Sequence, residues 1–157
     1  MTHGRAEQEG LIRITPFRPE DQDAARALIL AGLTERWGAL DPTRNADLND
    51  IAATYANGAF LCAWDDAVLI GTGALVPRGS DEAEIVRMSV ARAWRRHGVG
   101  RRLVEALLAT ARERGVRRLI LETTETWSDA IAFYSRLGFV ITHHRDGDVY
   151  FRLALES

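Results

Sequence analysis

From Glu84 to Thr123 the chain reads as strand, basic turn, helix and strand, and this order restricts the fold more than any other feature. Glu84-Ile85-Val86-Arg87-Met88-Ser89-Val90 is short, mostly apolar and contains β-branched residues, which suits a buried strand. Arg95-Arg96-His97-Gly98-Val99-Gly100-Arg101 follows, with glycines set among arginines. Val99, Leu103, Leu107, Leu108 and Ala111 then recur at helical spacing, and Gly115 stands where a C-terminal cap belongs. Arg117 to Thr123 is the next strand, with Leu119 and Leu121 on one face and Ile120 and Glu122 on the other. Two strands joined through one helix make a right-handed crossover with parallel neighbouring edges.

The same order carries chemistry. The amide hydrogens of a helix's first turn have no partner inside the helix, and the aligned peptide dipoles add partial positive charge there. Gly98 and Gly100 let the backbone approach a ligand closely, and the flanking arginines can pair with phosphate oxygens. The turn therefore reads as a pyrophosphate seat. Eight arginines lie between Arg87 and Arg114, although the whole chain carries a formal net charge of −2. The acidic total gives no reason to expect nucleic acid as a partner, while the local cluster still favours an anion. A dinucleotide-binding reading fits poorly. Gly98-Val99-Gly100-Arg101-Arg102-Leu103 lacks the third glycine of that fingerprint, and no acidic ribose partner stands at the expected distance.

The remaining chain extends the pattern into one domain. Leu11 to Thr15 alternates as a first strand, and Pro19-Glu20-Asp21 starts a helix expected to run to about Leu33. Gly32 to Pro42 is either a lid over an acceptor site or a packed connection; Asp47 to Asn57 is expected to be a second helix. Ala59 to Trp64 and Ala67 to Val76 form a hairpin, Trp127 to Leu137 is an amphipathic helix, and Asp146-Gly147 joins two last strands. Residues 1–10 are polar, without the apolar core of a signal peptide, and are expected to form a flexible start to a single domain over residues 11–157. No apolar run approaches transmembrane length, so no membrane partner is expected. The single cysteine, Cys62, reads as a buried small hydrophobe in a reducing, cytoplasmic setting. His97, His143 and His144 lack metal-ligand spacing with any cysteine, so no metal is expected.

Arg95-x-x-Gly98-x-Gly100 resembles the Q/R-x-x-G-x-G/A motif of the GNAT superfamily, the acyl-CoA-dependent N-acyltransferases. The resemblance includes the strand end Arg87-Met88-Ser89-Val90, eight residues before Gly98. It also includes Ala130-Ile131-Ala132-Phe133-Tyr134-Ser135-Arg136-Leu137-Gly138-Phe139, which looks like the family's second signature. Ile12 to Phe17 and Glu20-Asp21 are similar to its first strand and helix start, so the similarity spans nearly the whole chain. The resemblance implies a mixed α/β (α+β) fold, mostly antiparallel, with a central splayed parallel strand pair and helices on both faces. It further implies acetyl transfer from acetyl-CoA to a primary amine of a small molecule or peptide, by direct attack in a ternary complex and without a metal.

Site residues follow from the same resemblance. It lays the pantetheine arm along the backbone of Met88, Ser89 and Val90, and the pyrophosphate on Arg95, Arg96, His97, Gly98, Val99, Gly100 and Arg101. An amide around Met88 would polarise the thioester carbonyl. Tyr134 matches the tyrosine that protonates the CoA thiolate, and its spacing with Ile131 and Leu137 also suits simple packing. Glu84 matches the general-base glutamate of histone-acetylating members and equally suits a solvated strand entrance. Trp127 stands where the family often has an asparagine that contacts the pantetheine or the catalytic water, and Arg92 replaces a common proline. An acyl-CoA-sensing module without efficient turnover is the alternative reading. Acceptor walls are expected from Glu35 to Asp41, Thr123 to Trp127 and His143 to Asp148, and a homodimer through the last strands is an open alternative to a monomer.

Overall fold

A computed structural model describes residues 11–155; the expected flexible segment, residues 1–10, lies outside the described residues. Seven strands form one sheet: β1 (Arg13–Pro16), β2 (Ala59–Asp65), β3 (Val68–Pro77), β4 (Glu82–Val90), β5 (Arg118–Thr124), β6 (Val140–Arg145) and β7 (Asp148–Ala154). Their spatial order is β1-β2-β3-β4-β5-β7-β6, and every neighbouring pair is antiparallel except β4 and β5. That parallel pair is short. Glu82 pairs with Arg118, Ala83 with Leu119 and Glu84 with Ile120, and beyond them residues 85–90 and 121–124 run on unpaired with each other. The expected splay is therefore present in the middle of the sheet.

Helices cover both faces. On one lies α1 (Gln22–Trp37), followed by 3₁₀ turns over Pro42–Asn49 and a single-turn helix, α2 (Ile51–Thr54). Ala25 and Ile29 of α1 pack there with Leu48, Ile51, Phe60 and Trp64. On the other face α3 (Val99–Glu113) and α4 (Ser128–Arg136) bury Leu103, Val104, Leu107 and Tyr134 against Leu119, Leu121 and Phe151. Alternation along β4 serves both layers, because Ala83 and Ile85 join the α3 side while Val86 packs on the α1 side.

Two helical expectations are corrected. The first helix does not stop near Leu33 but continues to Trp37, where Gly38 closes it with φ 78°. Gly32 does not break it, since its missing side chain is a matter of packing: a Cβ there would sit 3.3 Å from Ser89 Oγ. The stretch read as lid or connection is thus mostly ordered helix. The expected helix from Asp47 to Asn57 is reduced to one turn. The Gln22 side chain donates to Leu48 O (2.7 Å) and accepts from Ile51 N (3.0 Å), and Asp50 caps Ala53 N (3.1 Å), so tertiary and capping contacts replace the helical ladder.

Candidate functional site

The splay opens a cavity of about 260 Å³ between α1, β4, β5 and α4. Met88, Ser89, Val90, Arg95, Trp127 and Tyr134 all line it, so the structure brings these six sequence-derived residues together. Arg36, Arg87, Glu122 and Thr123 line it as well. A separate cleft of about 350 Å³ is bounded by Phe17, Tyr55, Phe60 and Arg114 and contains none of the residues singled out from the sequence.

A bulge in β4 shapes the cavity wall. Ala74 pairs with Val86 and Thr72 with Ser89, so Arg87 and Met88 together face the single residue Gly73. Arg87 takes the left-handed conformation, φ 54°, and the buried Thr72 hydroxyl donates to its carbonyl at 2.8 Å. Gly73 makes room for the Met88 side chain, because a Cβ would lie 2.6 Å from Met88 Sδ.

From Arg95, which lines the cavity, the chain runs through a short turn into α3. Gly98 is the N-cap of α3 with φ 82°, and a Cβ there would meet nothing within 4 Å, so the backbone faces open space. Arg96 is also left-handed, φ 64°, and His97 lies edge-on to Trp94. Arg95 donates to Val90 O at 3.2 Å and pairs with Glu35 at 2.8 Å. Arg101 lies 3.9 Å from Glu105 on the exposed side of α3. Val99 is buried in the core, and Gly100 serves packing, since its Cβ would come 3.2 Å from Phe133 Cζ. A helix N-terminus, an open glycine and nearby arginines are the chemistry that suits an anion.

Tyr134 enters from α4, ringed by Phe133, Phe139 and Phe151. Burial pushes its phenol well above the usual tyrosine range, so it stays neutral and able to donate. Glu84 is placed elsewhere: its carboxylate accepts from Arg78 at 2.8 Å, and it does not line the cavity. Glu122 does, on the face of β5 that looks toward α1. It sits directly across from Tyr150 on β7, whose phenol hydrogen-bonds it and is thereby raised. His143 stacks flat on Tyr150, centroids 4.3 Å apart at 6°. Burial, with Glu122, Asp146 and Glu125 nearby, pushes the Asp148 carboxyl up.

Trp127 closes the opposite wall. Arg36 lies 4.2 Å over its ring and donates twice to Asp129, at 3.1 and 2.7 Å, while Trp37 packs against it at 5.4 Å. Among the described residues no group of three His, Cys, Asp or Glu side chains is placed to hold a metal ion, and no helix is long and apolar enough to cross a membrane. Cys62 is buried in the sheet with its thiol pushed up to about 12 by burial, which makes it a packing residue.

Comparison with known proteins gives a consistent picture. The sequence model of the Acetyltransferase (GNAT) family matches residues 20–139. N-acetyltransferase family 8 member 2 of Rattus norvegicus is 32% identical over 106 residues, covering 63% of this chain and 47% of the rat protein. The chain thus spans about half the length of the curated relatives it matches. In fold, a GNAT-family acetyltransferase from Staphylococcus aureus superposes with a TM-score of 0.85 at 20% identity, covering 92% of this chain and 99% of that one. The PaiA N-acetyltransferase of Thermoplasma acidophilum, solved in complex with coenzyme A, gives 0.81 at 19% identity over the same shares.

Proposed function

This chain belongs to the GNAT acetyltransferase family, and on that premise we propose that it transfers an acetyl group from acetyl-CoA to a primary amine of a small molecule or peptide. What supports this reading is that one splayed cavity is lined together by Arg95 of the glycine–arginine turn, by Met88 to Val90 of β4 and by Tyr134. Bound acetyl-CoA supplies an acetyl group activated as a thioester.

The chain's own residues divide the remaining work. Gly98, Arg95, Arg96 and Arg101 hold the diphosphate. The bulged backbone at Met88 to Val90 aligns the donor, and an amide around Met88 polarises the acyl carbonyl. Glu122 is the carboxylate we assign as base, since it lines the cavity and Glu84 is occupied by Arg78. It accepts one proton of the acceptor ammonium, directly or through one water, and passes it to solvent; the freed amine attacks the acyl carbon, and a second nitrogen proton leaves to water as the nitrogen–carbon bond forms and the tetrahedral adduct collapses. Tyr134 donates its proton to the departing thiolate as the carbon–sulfur bond breaks, and is reprotonated from solvent. The acidic end of β5 and β7 favours an acceptor that arrives as a cation, and Trp37 with Trp127 offers an apolar wall to the body that carries it.

Release of free thiol from acetyl-CoA across a panel of primary amines tests the proposal. Amine-dependent release is the expected result. Tight acetyl-CoA binding without release from any amine would support the sensing module instead.

A further inference from the structure

Arg87 stands where β4 turns away from β5, and its backbone is of a kind that usually calls for glycine. The left-handed state is costly for a residue with a Cβ, and bulges of this geometry are commonly filled by glycine. An arginine held there must make contacts that glycine cannot.

Those contacts form a closed set. The guanidinium donates to both oxygens of Asp47, from Nε at 2.9 Å and from Nη2 at 2.6 Å, and Nη2 also reaches Asn45 Oδ1 at 3.2 Å. Asp47 accepts a further bond from the Tyr55 hydroxyl at 2.7 Å. The two side chains are only 18% and 24% exposed, so this pair is shielded from water in a way that ordinary surface pairs are not. Asp47 is itself anchored, because the neighbouring Leu48 carbonyl is held by Gln22 of α1. At the other end of the residue, the fully buried Thr72 fixes the Arg87 carbonyl from β3. Met88, the next residue, faces the cavity.

We propose that the Arg87–Asp47 pair is a positioning clamp for acyl transfer, holding the β4 bulge and with it the backbone of Met88, a residue that lines the cavity. The clamp rests on the acetyl-transfer reading of that cavity. It acts through the backbone, so it governs the alignment of the acyl group more than the grip on CoA. A displacement of a fraction of an ångström there is enough to slow the chemical step.

Steady-state thiol release and acetyl-CoA calorimetry on wild type, Asp47→Asn, Arg87→Met and the double variant test this. Each single change is expected to lower kcat by about 10- to 100-fold while acetyl-CoA affinity stays within about threefold. The double variant falls no further than the worse single, because both remove one interaction. Arg87→Gly, which adopts positive φ without strain, is expected to recover part of the kcat lost in Arg87→Met. Should Arg87→Met fail to fold, Arg87→Lys, which keeps the charge but lacks the paired N–H fork, takes its place. Unchanged kcat in the single variants, additive losses, or equal losses in affinity and kcat overturn the clamp. A wild type that binds no acetyl-CoA removes the reading beneath it, and is told apart because that failure appears before any variant is made.

Discussion

Tyr134 and Glu122 line the same cavity from opposite layers, and the proposed function makes one the proton donor and the other the proton acceptor. Tyr134→Phe keeps the packing with Phe139 and Phe151 and removes only the proton, so kcat is expected to fall by about 100-fold or more with acetyl-CoA affinity unchanged. Retained turnover, read by thiol release, would take Tyr134 out of the mechanism. A neutral amide cannot accept the ammonium proton, so Glu122→Gln should lose most of kcat and most of kcat/KM. Glu84→Gln should keep both; the reverse pattern returns the role to Glu84. The sequence made Tyr134 legible, because the run from Ala130 to Phe139 carries a signature within one helix and its cap. Glu122 was legible only as a face, opposite Leu119 and Leu121, since its partner Tyr150 arrives from a strand some thirty positions on, a distance no local pattern spans. The Arg78 contact that occupies Glu84, and the left-handed backbone of Arg87, are likewise properties of the folded sheet.

Among the elements, the end of α1 and the start of α4 are joined across the cavity by Arg36, Trp37, Trp127 and Asp129. Asp129 is mostly exposed, so Arg36→Ala should cost only about 1 kcal/mol of stability. Its larger effect should be on acceptor KM, measured at saturating acetyl-CoA, with acetyl-CoA affinity unaltered. Equal loss in both affinities would contradict the assignment of this wall to the acceptor. Two glycines separate packing from turn chemistry. Gly58→Ala would place a Cβ 2.0 Å from the Leu75 carbonyl and should destabilise by several kcal/mol, on the order of 3. Gly32→Ala meets only the Ser89 hydroxyl at 3.3 Å and should stay within about 1 kcal/mol of wild type by thermal unfolding. Local sequence misplaced the helix ends for the same reason. Gly32 looks like a stop but is a contact, and the Asp47 to Asn57 helix loses its ladder to Gln22, which lies on another element.

For the molecule as a whole, the mixed sheet with its parallel pair followed from one crossover unit and two hairpins, the splay from the family resemblance, and the place of β7 between β5 and β6 is a property of the folded sheet. Stability against acid depends on contacts the sequence did not show. Burial pushes the Asp47 carboxyl up, but donation from Arg87 and Tyr55 outweighs it and holds the group below the usual aspartate range; Arg36 does the same for Asp129. A carboxyl lowered in the folded state stabilises fully above the unfolded value, about 3.9, and that contribution disappears as pH falls through the folded one. Asp148, raised by burial and its acidic neighbours, works in the opposite sense. Tm should therefore hold from neutral pH to about pH 4 and drop below it, with a shallower drop in Asp47→Asn. An identical acid slope in that variant would remove Asp47 from the balance. The central claim, that the splayed cavity and its basic mouth receive acetyl-CoA, is tested most directly by calorimetric titration of acetyl-CoA into wild type and a folded Gly98→Glu variant. Micromolar binding at a single site, abolished by the added carboxylate, is the predicted result. No heat from the wild type, or binding indifferent to the charge at residue 98, would contradict it.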